Sequence, residues 1–168
     1  AEEKMSPIVP HPAGAFLTIF DHTTEQPLEL TLLHIFAIEM ARFMHVYGYK
    51  EEELALVSVQ NKLNAIDHPA AQIAEKITVD DVMNSRLLSW PVKRLDISPT
   101  SDGAVAIVLA NERKARSHCK APVFIDGVGF RLDTAYWCTR DLACPNYVSM
   151  AARDAYKVAG IVRPEDEI

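Results

Sequence analysis

Apolar residues recur with a helical period through the first half of the chain. Between residues 27 and 48 they lie mostly three or four positions apart, which predicts an amphipathic helix with Pro27 in its first turn and Gly48 at its end. The same pattern predicts a second helix over residues 51–65, which begins with three glutamates that interact favourably with a helix N-terminus. The proline-containing residues 1–26 lack this period and predict an irregular segment.

Shorter signals predict the elements that follow these two helices. Thr78 precedes Asp81 by three positions, a capping-box pattern that predicts a short helix. Pro91 disfavours a helix before it, so residues 90–97 are expected to be extended. Asn111 can cap the charged helix ERKARSH that begins at the next residue.

The second half of the chain contains apolar runs of strand length. Residues 104–110 form an uninterrupted apolar run, which predicts a strand buried on both faces and paired in parallel with a strand elsewhere. Residues 123–128 predict another strand, ended by Gly127 and Gly129, and residues 147–159 predict a helix that ends at the following glycine. Helices followed by alternating strands and helices are typical of an α/β fold with a helical insertion ahead of its strands.

Several turn-forming residues lie directly before the first apolar run, in the stretch RLDISPTSDGA (residues 94–104). Pro99 restricts one backbone dihedral angle, and Gly103 tolerates unusual ones. The side chains of Ser101 and Asp102 can hydrogen-bond their own backbone. These residues predict a sharp turn that leads the chain from the helical insertion into a buried strand.

Composition narrows the functional classes. The chain has 168 residues, of which 49% are apolar, and its formal net charge of −6 disfavours a nucleic-acid partner. The longest apolar stretch, residues 30–44, is interrupted by polar and charged side chains, so no membrane span is expected. Three cysteines without a disulfide-framework spacing favour a reducing compartment, and the cytoplasm is the expected location. The first and last residues suggest an internal piece of a longer protein.

Several short motifs, in the same order along the chain, resemble the thiolase superfamily and, within it, the sterol-carrier-protein-type and archaeal thiolases. The motifs are EEKM (residues 2–5), RFMHVYG (42–48), NAIDHP (64–69), DISPTSDGA (96–104) and AGIVRPEDEI (159–168). Together they extend over nearly all of the chain.

The resemblance implies a thiolase-like, five-layered αβαβα fold with two similar α/β halves, of which this chain would be an incomplete portion. Residues 1–26 would end the N-terminal half, and residues 27–93 would form a mainly helical loop domain that contacts coenzyme A. Residues 94–120 would supply the last strand and helix of the N-terminal half. Residues 121–168 would begin the C-terminal half.

The resemblance also implies an enzyme that cleaves or forms a carbon–carbon bond next to an acyl-coenzyme A thioester through an acyl-cysteine intermediate. The family's nucleophile precedes the EEKM motif, and its histidine follows the AGIVRPEDEI motif. No catalytic residue is therefore expected in this chain, which alone would be inactive. Coenzyme A would enter as the acyl-coenzyme A substrate, and no metal is expected.

The resemblance places one candidate binding site in the turn at residues 94–104. Its residues are Ser98, Pro99, Thr100 and Ser101. In the family this turn touches the pantetheine arm of coenzyme A, and Ser98 matches a serine near that arm. The residues taken alone favour a purely structural turn, and both interpretations stay open.

Other reactive side chains have plainer interpretations. Cys119 has basic neighbours that favour a thiolate, but it follows a helix end whose dipole disfavours one. Cys138 and Cys144 lack a matching pair of zinc ligands and are expected to be packing residues in a variable loop. Lys93 and Arg94 could meet coenzyme A phosphates, although a solvated charge pair is the commoner outcome.

Aromatic and histidine side chains also leave alternatives. Tyr136, Trp137 and Tyr147 could form an apolar acyl pocket, although the edge of a hydrophobic core is favoured. His34 and His45 share one face of the first helix, where exposed or hydrogen-bonded histidines are far commoner than a metal pair.

Three functions are compatible with these residues. The first is a thiolase-type acyltransferase subunit. The second is a non-catalytic thiolase-fold subunit that binds coenzyme A esters or scaffolds a partner, and the third is a cysteine-free retro-aldolase on the same fold. The resemblance implies a homodimer or hetero-oligomer, and related proteins often pair with a small zinc-ribbon and OB-fold protein.

Overall fold

The structure is a computed structural model that describes residues 16–134 and 136–168, together with the backbone of residues 2–3. The chain divides into two compact units. The helical unit comprises Glu2–Gly103 and Ala135–Cys144, and the C-terminal unit comprises Ala104–Thr134 and Pro145–Ile168.

Helices and one hairpin make up most of the described helical unit. A two-residue strand, β1 (Glu2–Glu3), is followed by 3-10 turns at Leu17–Ile19 and Gln26–Leu28. The helices are α1 (Leu32–Tyr47), α2 (Glu51–Ala65) and α3 (Val79–Asn84). The hairpin consists of β2 (Leu87–Ser89) and β3 (Val92–Lys93), and a third 3-10 turn follows at Arg94–Asp96.

The first predicted helix forms, but it begins at Leu32 rather than at Pro27, so the predicted start is wrong. Glu29 has a left-handed backbone conformation with φ 49° and ends the preceding 3-10 turn, so the helix begins after it. The predicted end is confirmed, because Gly48 has φ 75° and donates its N–H to the Met44 carbonyl at 2.8 Å.

The second and third predicted helices are confirmed. Helix α2 has the bounds that its glutamate-rich start and apolar period predicted. At the start of α3, Thr78 and Asp81 form the predicted capping box. The Asp81 N–H donates to Thr78 Oγ1 at 3.2 Å, and the Thr78 N–H donates to Asp81 Oδ2 at 2.8 Å.

The hydrophobic core lies in the helical unit. Helix α2 packs against α3, where Ala55 and Val82 are 2% and 1% exposed. The buried apolar side chains of the described residues are Phe20, Ile35, Ala37, Ala55, Val82, Val92 and Ala143. All of them belong to the helical unit.

The segment around Pro91 is extended only in part, because it folds back as an antiparallel hairpin. Leu87 lies opposite Lys93, and the Trp90–Pro91 peptide bond at the turn is cis. The hairpin is attached to the start of α2, since the Trp90 Nε1–H donates to Glu51 Oε1 at 3.1 Å and the Lys93 ammonium pairs with Glu51 Oε2.

The predicted buried strand over residues 104–110 is wrong. Only its first residue lies in a strand, β4 (Gly103–Ala104), which pairs with β1. Ile107, Val108 and Leu109 are 80%, 91% and 75% exposed. A strand is stabilised by hydrogen bonds to neighbouring strands, and in the described residues the pairing stops at the two-residue partner. The predicted parallel direction stays a prediction.

The predicted strand over residues 123–128 is also wrong, because those residues form no regular element. Gly127 and Gly129 do not end a strand but let the chain approach α5 (Asn146–Ala159) closely. A Cβ atom on Gly127 would lie 2.1 Å from the Ala155 carbonyl oxygen, and one on Gly129 would lie 1.8 Å from that of Ala151. Only glycine fits at such distances.

The helices of the C-terminal unit follow their sequence signals. Asn111 caps α4 (Glu112–His118) by accepting a hydrogen bond from the Lys114 N–H at 3.0 Å, as predicted. Helix α5 ends at Gly160, which has φ 74°, and this end is confirmed. A final short helix, α6 (Pro164–Glu167), was not predicted.

Candidate functional site

The turn at residues 96–102 is attached to the helical unit by a carboxylate. Asp96 Oδ2 accepts a hydrogen bond from the Lys93 N–H at 2.8 Å, and Asp96 Oδ1 accepts one from the Ser58 hydroxyl of α2 at 3.0 Å. These bonds connect the end of the hairpin to α2. The residues that follow, Ser98 to Ser101, are thereby held in a defined position along the helical unit.

Two cavities of different character flank this turn. The polar cavity, of about 640 Å³, is lined by Ala70, Gln72 and Ile73 from the loop after α2 and by Pro99 to Asp102 from the turn. The apolar cavity, of about 750 Å³, is lined by Phe16, four α1 residues (Leu32, Leu33, Phe36 and Met40), Val92, and residues 96–100. Pro99 and Thr100 line both cavities and form the wall between them.

The four predicted binding residues occupy different places along this wall. Ser98 lines the apolar cavity and Ser101 lines the polar cavity. Ser98, Thr100 and Ser101 are exposed, whereas Pro99 is half-buried. The turn therefore presents three hydroxyl groups to solvent, and its role in binding stays a prediction.

Sequence reasoning missed Gln72, which faces Ser101 across the polar cavity. The Ser101 hydroxyl donates to Gln72 Oε1 at 2.5 Å, and the two residues are 29 positions apart. No local pattern marks Gln72, because its position depends on how the loop after α2 returns to the turn.

The basic residues before the turn do not behave alike. Lys93 is 8% exposed, pairs with Glu51 and also donates to the Pro91 carbonyl at 3.3 Å. It is not a solvated charge, so that interpretation of Lys93 is wrong. A contact with coenzyme A phosphates stays a prediction. Arg94 is exposed.

The predicted aromatic cluster does not line either cavity. The Trp137 Nε1–H donates to Glu39 Oε1 of α1 at 3.1 Å, and Tyr136 is 45% exposed. Tyr147 belongs to α5 of the C-terminal unit. Apolar side chains of α1 line the apolar cavity instead.

A buried glutamate controls the chemistry of one cysteine. Glu25 is 5% exposed and accepts hydrogen bonds from the Cys138 N–H at 2.9 Å and the Asp21 N–H at 3.1 Å. Burial raises the pKa of Glu25, but the backbone hydrogen bonds from Cys138 and Asp21 outweigh it and leave the pKa lowered. The hydrogen bond of the Cys138 thiol to Glu25 raises the pKa of Cys138, so this thiol stays protonated at neutral pH.

The remaining cysteines show no nucleophile geometry. Cys119 is exposed and follows α4, and Cys144 is half-buried. The Cys144 N–H donates to Asp141 Oδ1 at 3.2 Å. Cys138 is exposed, so the prediction that it is a packing residue is wrong.

The residues that the structure describes lack two further kinds of feature. None of their His, Cys, Asp and Glu side chains form a group of three or more that could hold a metal ion. Their helices are also too short or too polar to cross a membrane.

The chain has a thiolase-like α/β fold. A solved structure of the "Ltp2-ChsH2(DUF35) aldolase" matches 88% of this chain and 42% of its own chain, with a TM-score of 0.77 and 24% identity. At that identity the match shows the fold alone. No protein-family model matches this chain.

Curated relatives add sequence similarity to named proteins. Acetyl-CoA acetyltransferase of Methanothermobacter thermautotrophicus is 37% identical over 158 residues, which are 94% of this chain and 41% of the relative. Sterol carrier protein 2 of Gallus gallus is 29% identical over 138 residues, which are 79% of this chain and 25% of the relative. The chain is similar to thiolase-superfamily proteins of the sterol-carrier-protein type. It spans about two fifths of the first of these relatives.

Proposed function

We propose that the complete protein acts on acyl-coenzyme A thioesters and that the turn at Ser98, Pro99, Thr100 and Ser101 holds the pantetheine arm. One observation carries this proposal: Pro99 and Thr100 line both the apolar cavity and the polar cavity, whose lining combines polar with apolar side chains. An acyl-coenzyme A has the same division, with an apolar acyl group on one side of the thioester and an amide-containing arm on the other.

The two cavities offer different interactions to such a ligand. The α1 residues of the apolar cavity would remove acyl carbons from water, at about 25 cal/mol per Å² of apolar surface. The hydroxyl of Thr100 can exchange hydrogen bonds with amide groups. The thioester would then lie at the wall between the cavities.

For the reaction, we propose thiolase-type acyl transfer. A cysteine thiolate would attack the 3-keto carbonyl, the carbon–carbon bond would break as the leaving enolate gains a proton, and free coenzyme A would take the acyl group from the cysteine. The nucleophile and the histidine would come from outside these 168 residues. The protonated state of the Cys138 thiol supports this assignment.

A second candidate reaction is a retro-aldol cleavage without a cysteine nucleophile. A base would remove the proton of a 3-hydroxyl group, the carbon–carbon bond would break to give a carbonyl product, and the acyl-coenzyme A enolate would be protonated. The similarity to a curated relative named "Steroid side-chain-cleaving aldolase" of Thermomonospora curvata, 29% identical over 132 residues, supports this alternative.

We further propose that the complete protein is a homodimer or a hetero-oligomer in the cytoplasm. A curated relative of Thauera aromatica, 28% identical over 132 residues, is named as a subunit, "Benzoylsuccinyl-CoA thiolase subunit BbsB", which supports a hetero-oligomer. A small zinc-ribbon and OB-fold protein is the partner that we propose for that case. Light scattering of the purified complete protein, with and without such a partner, tests the assembly.

One assay separates the reactions. The complete protein is incubated with acetoacetyl-coenzyme A and free coenzyme A, and separately with a 3-hydroxyacyl-coenzyme A that has a tertiary alcohol. Thiolysis with an acetylated cysteine in the intact mass supports acyl transfer, and cleavage of the tertiary alcohol alone supports the aldolase. Binding of acetyl-coenzyme A without either reaction indicates a non-catalytic subunit, and no binding contradicts the proposal.

A further inference from the structure

We propose that Gln72 recognises the ligand in the polar cavity by donating a hydrogen bond from Nε2 to a neutral amide carbonyl of the pantetheine arm. Ser101 is the positioning residue of Gln72. This inference rests on the proposed function and deepens it. It assigns a role to a residue outside the turn that the sequence singled out.

The bond between Ser101 and Gln72 sets the orientation of the amide. The distance from Ser101 Oγ to Gln72 Oε1 is 2.5 Å, which is in the range of an O–H···O bond and shorter than an ordinary N–H···O bond. The Gln72 oxygen is therefore the atom that faces Ser101. This bond orients the amide, and the other end of the amide carries the two Nε2 donors.

Those donors are available to a ligand. Within the part of the chain that the structure describes, no protein atom accepts a hydrogen bond from Gln72 Nε2. Gln72 is exposed and lines the cavity between Ile73 and the turn. A donor that is fixed in position before binding loses less entropy when a ligand arrives.

The lining of the cavity suits a neutral acceptor. None of the described residues that line it is basic, so they offer no counter-charge to a phosphate or carboxylate group. A neutral carbonyl can accept from Nε2 without such a counter-charge. The apolar side chains of Ala70, Ile73 and Pro99 suit the methylene groups between the amides of the arm. The cavity therefore fits the amide-containing part of coenzyme A rather than its phosphates.

Calorimetry with two probes tests the role of Gln72 in the complete protein. The probes are S-acetylpantetheine and an S-alkyl thioacetate of equal length that has no amide. We expect Gln72→Ala to weaken the binding of S-acetylpantetheine about tenfold, which is the effect of one lost hydrogen bond. The affinity for the alkyl thioacetate should stay unchanged. Gln72→Glu should weaken the binding of S-acetylpantetheine further, because the introduced carboxylate also repels the carbonyl oxygen of the ligand.

A double-mutant cycle tests the positioning role of Ser101. Ser101→Ala should lower the affinity for S-acetylpantetheine severalfold in the wild-type background. The same substitution should have a much smaller effect when Gln72 is already alanine. A merely structural role of Ser101 would give the same loss in both backgrounds. Gln60→Glu is the matched control, since Gln60 is an exposed glutamine on α2 that bonds Asn64 and lies outside both cavities.

The outcomes separate this inference from the proposed function. If the wild-type protein binds S-acetylpantetheine and Gln72→Ala binds it equally well, Gln72 does not read the arm and the proposed function survives. Equal losses for both probes would also overturn the inference, because the effect would not depend on amides. If the wild-type protein binds neither S-acetylpantetheine nor acetyl-coenzyme A, both proposals fail.

Discussion

The two units of the chain bury their apolar residues to very different extents. The helical unit contains the buried side chains of the described core, including Ile35, Val82 and Val92. The C-terminal unit exposes long apolar side chains, such as Val108 at 91% and Leu132 at 82%. An α-helix forms its backbone hydrogen bonds within itself, whereas a strand depends on its neighbours. The helices therefore form from the chain's own residues, whereas the apolar runs of the C-terminal unit lack neighbouring strands among the described residues.

The largest predicted effect concerns the glycines of the C-terminal unit. Gly129→Ala places a Cβ atom 1.8 Å from the Ala151 carbonyl oxygen, and we expect this overlap to destabilise the unit by about 3 kcal/mol. Hydrogen exchange of the α5 amides measures the loss. Gly103→Ala is the control, because a Cβ there meets no atom within 4 Å. Equal exchange in both variants would show that α5 does not pack against Gly129.

The second prediction concerns the buried carboxylate of the helical unit. Glu25→Gln replaces an ionised acceptor of two backbone N–H groups by an amide, and we expect a loss of about 2 kcal/mol. Urea unfolding monitored by Trp137 fluorescence measures it. The exposed Glu52→Gln is the control, and a loss of the same size in that variant would contradict the assignment.

The ionisation of Glu25 also predicts a pH dependence. Because the folded-state pKa of Glu25 is below its ordinary value of 4.5, the carboxylate stabilises the fold above pH 4.5. This contribution is lost as the pH falls through the lowered pKa. The wild-type chain should therefore lose its advantage over Glu25→Gln in acid, and an unfolding series from neutral to acidic pH checks this. An advantage that persists in acid would contradict it.

A pair of valines tests the contrast in burial itself. Val82→Ala removes two methyl groups at a position that is 1% exposed, and we expect a cost of about 1.5 kcal/mol in the 168-residue chain. Val108→Ala makes the same change at 91% exposure and should cost less than about 0.5 kcal/mol. Urea unfolding compares the two variants. Equal costs would mean that the C-terminal unit has a core around Val108.

The smallest predicted effect concerns the capping box of α3. Thr78→Ala removes the hydroxyl that accepts from the Asp81 N–H, and we expect a loss of about 1 kcal/mol. Thermal unfolding measures it. Thr78→Ser keeps the hydroxyl and should behave like the wild type. Equal losses in the alanine and serine variants would show that the hydroxyl does not cap the helix.

The predictability of each part of the fold depends on where its contacts lie. The ends of α1, α2 and α5 follow from nearby residues such as Gly48 and Gly160, so local patterns were sufficient. Helix α1 is capped by Thr31, whose N–H donates to His34 Nδ1 at 3.2 Å. The prediction placed the start at Pro27 because it did not use this N-cap residue. The strand predictions for residues 104–110 and 123–128 rested on apolar runs alone. An apolar run does not show whether a neighbouring strand is present to form the backbone hydrogen bonds that a strand requires.

The candidate site was predictable in the same uneven way. The Pro99 to Gly103 turn could be read from residue types, because proline, serine and glycine each act locally. The partners of that turn are distant in sequence, as the bonds of Ser58 with Asp96 and of Gln72 with Ser101 show. Lys93 was misassigned for the same reason, since its partner Glu51 is 42 positions away.

The most direct test of the central claim is a crystal structure of the complete protein with bound acetyl-coenzyme A. We expect the thioester at the wall of Pro99 and Thr100 and the pantetheine arm in the polar cavity. An amide carbonyl of the arm should lie within about 3 Å of Gln72 Nε2. A pantetheine arm bound elsewhere, with both cavities of the turn holding only solvent, would contradict the account.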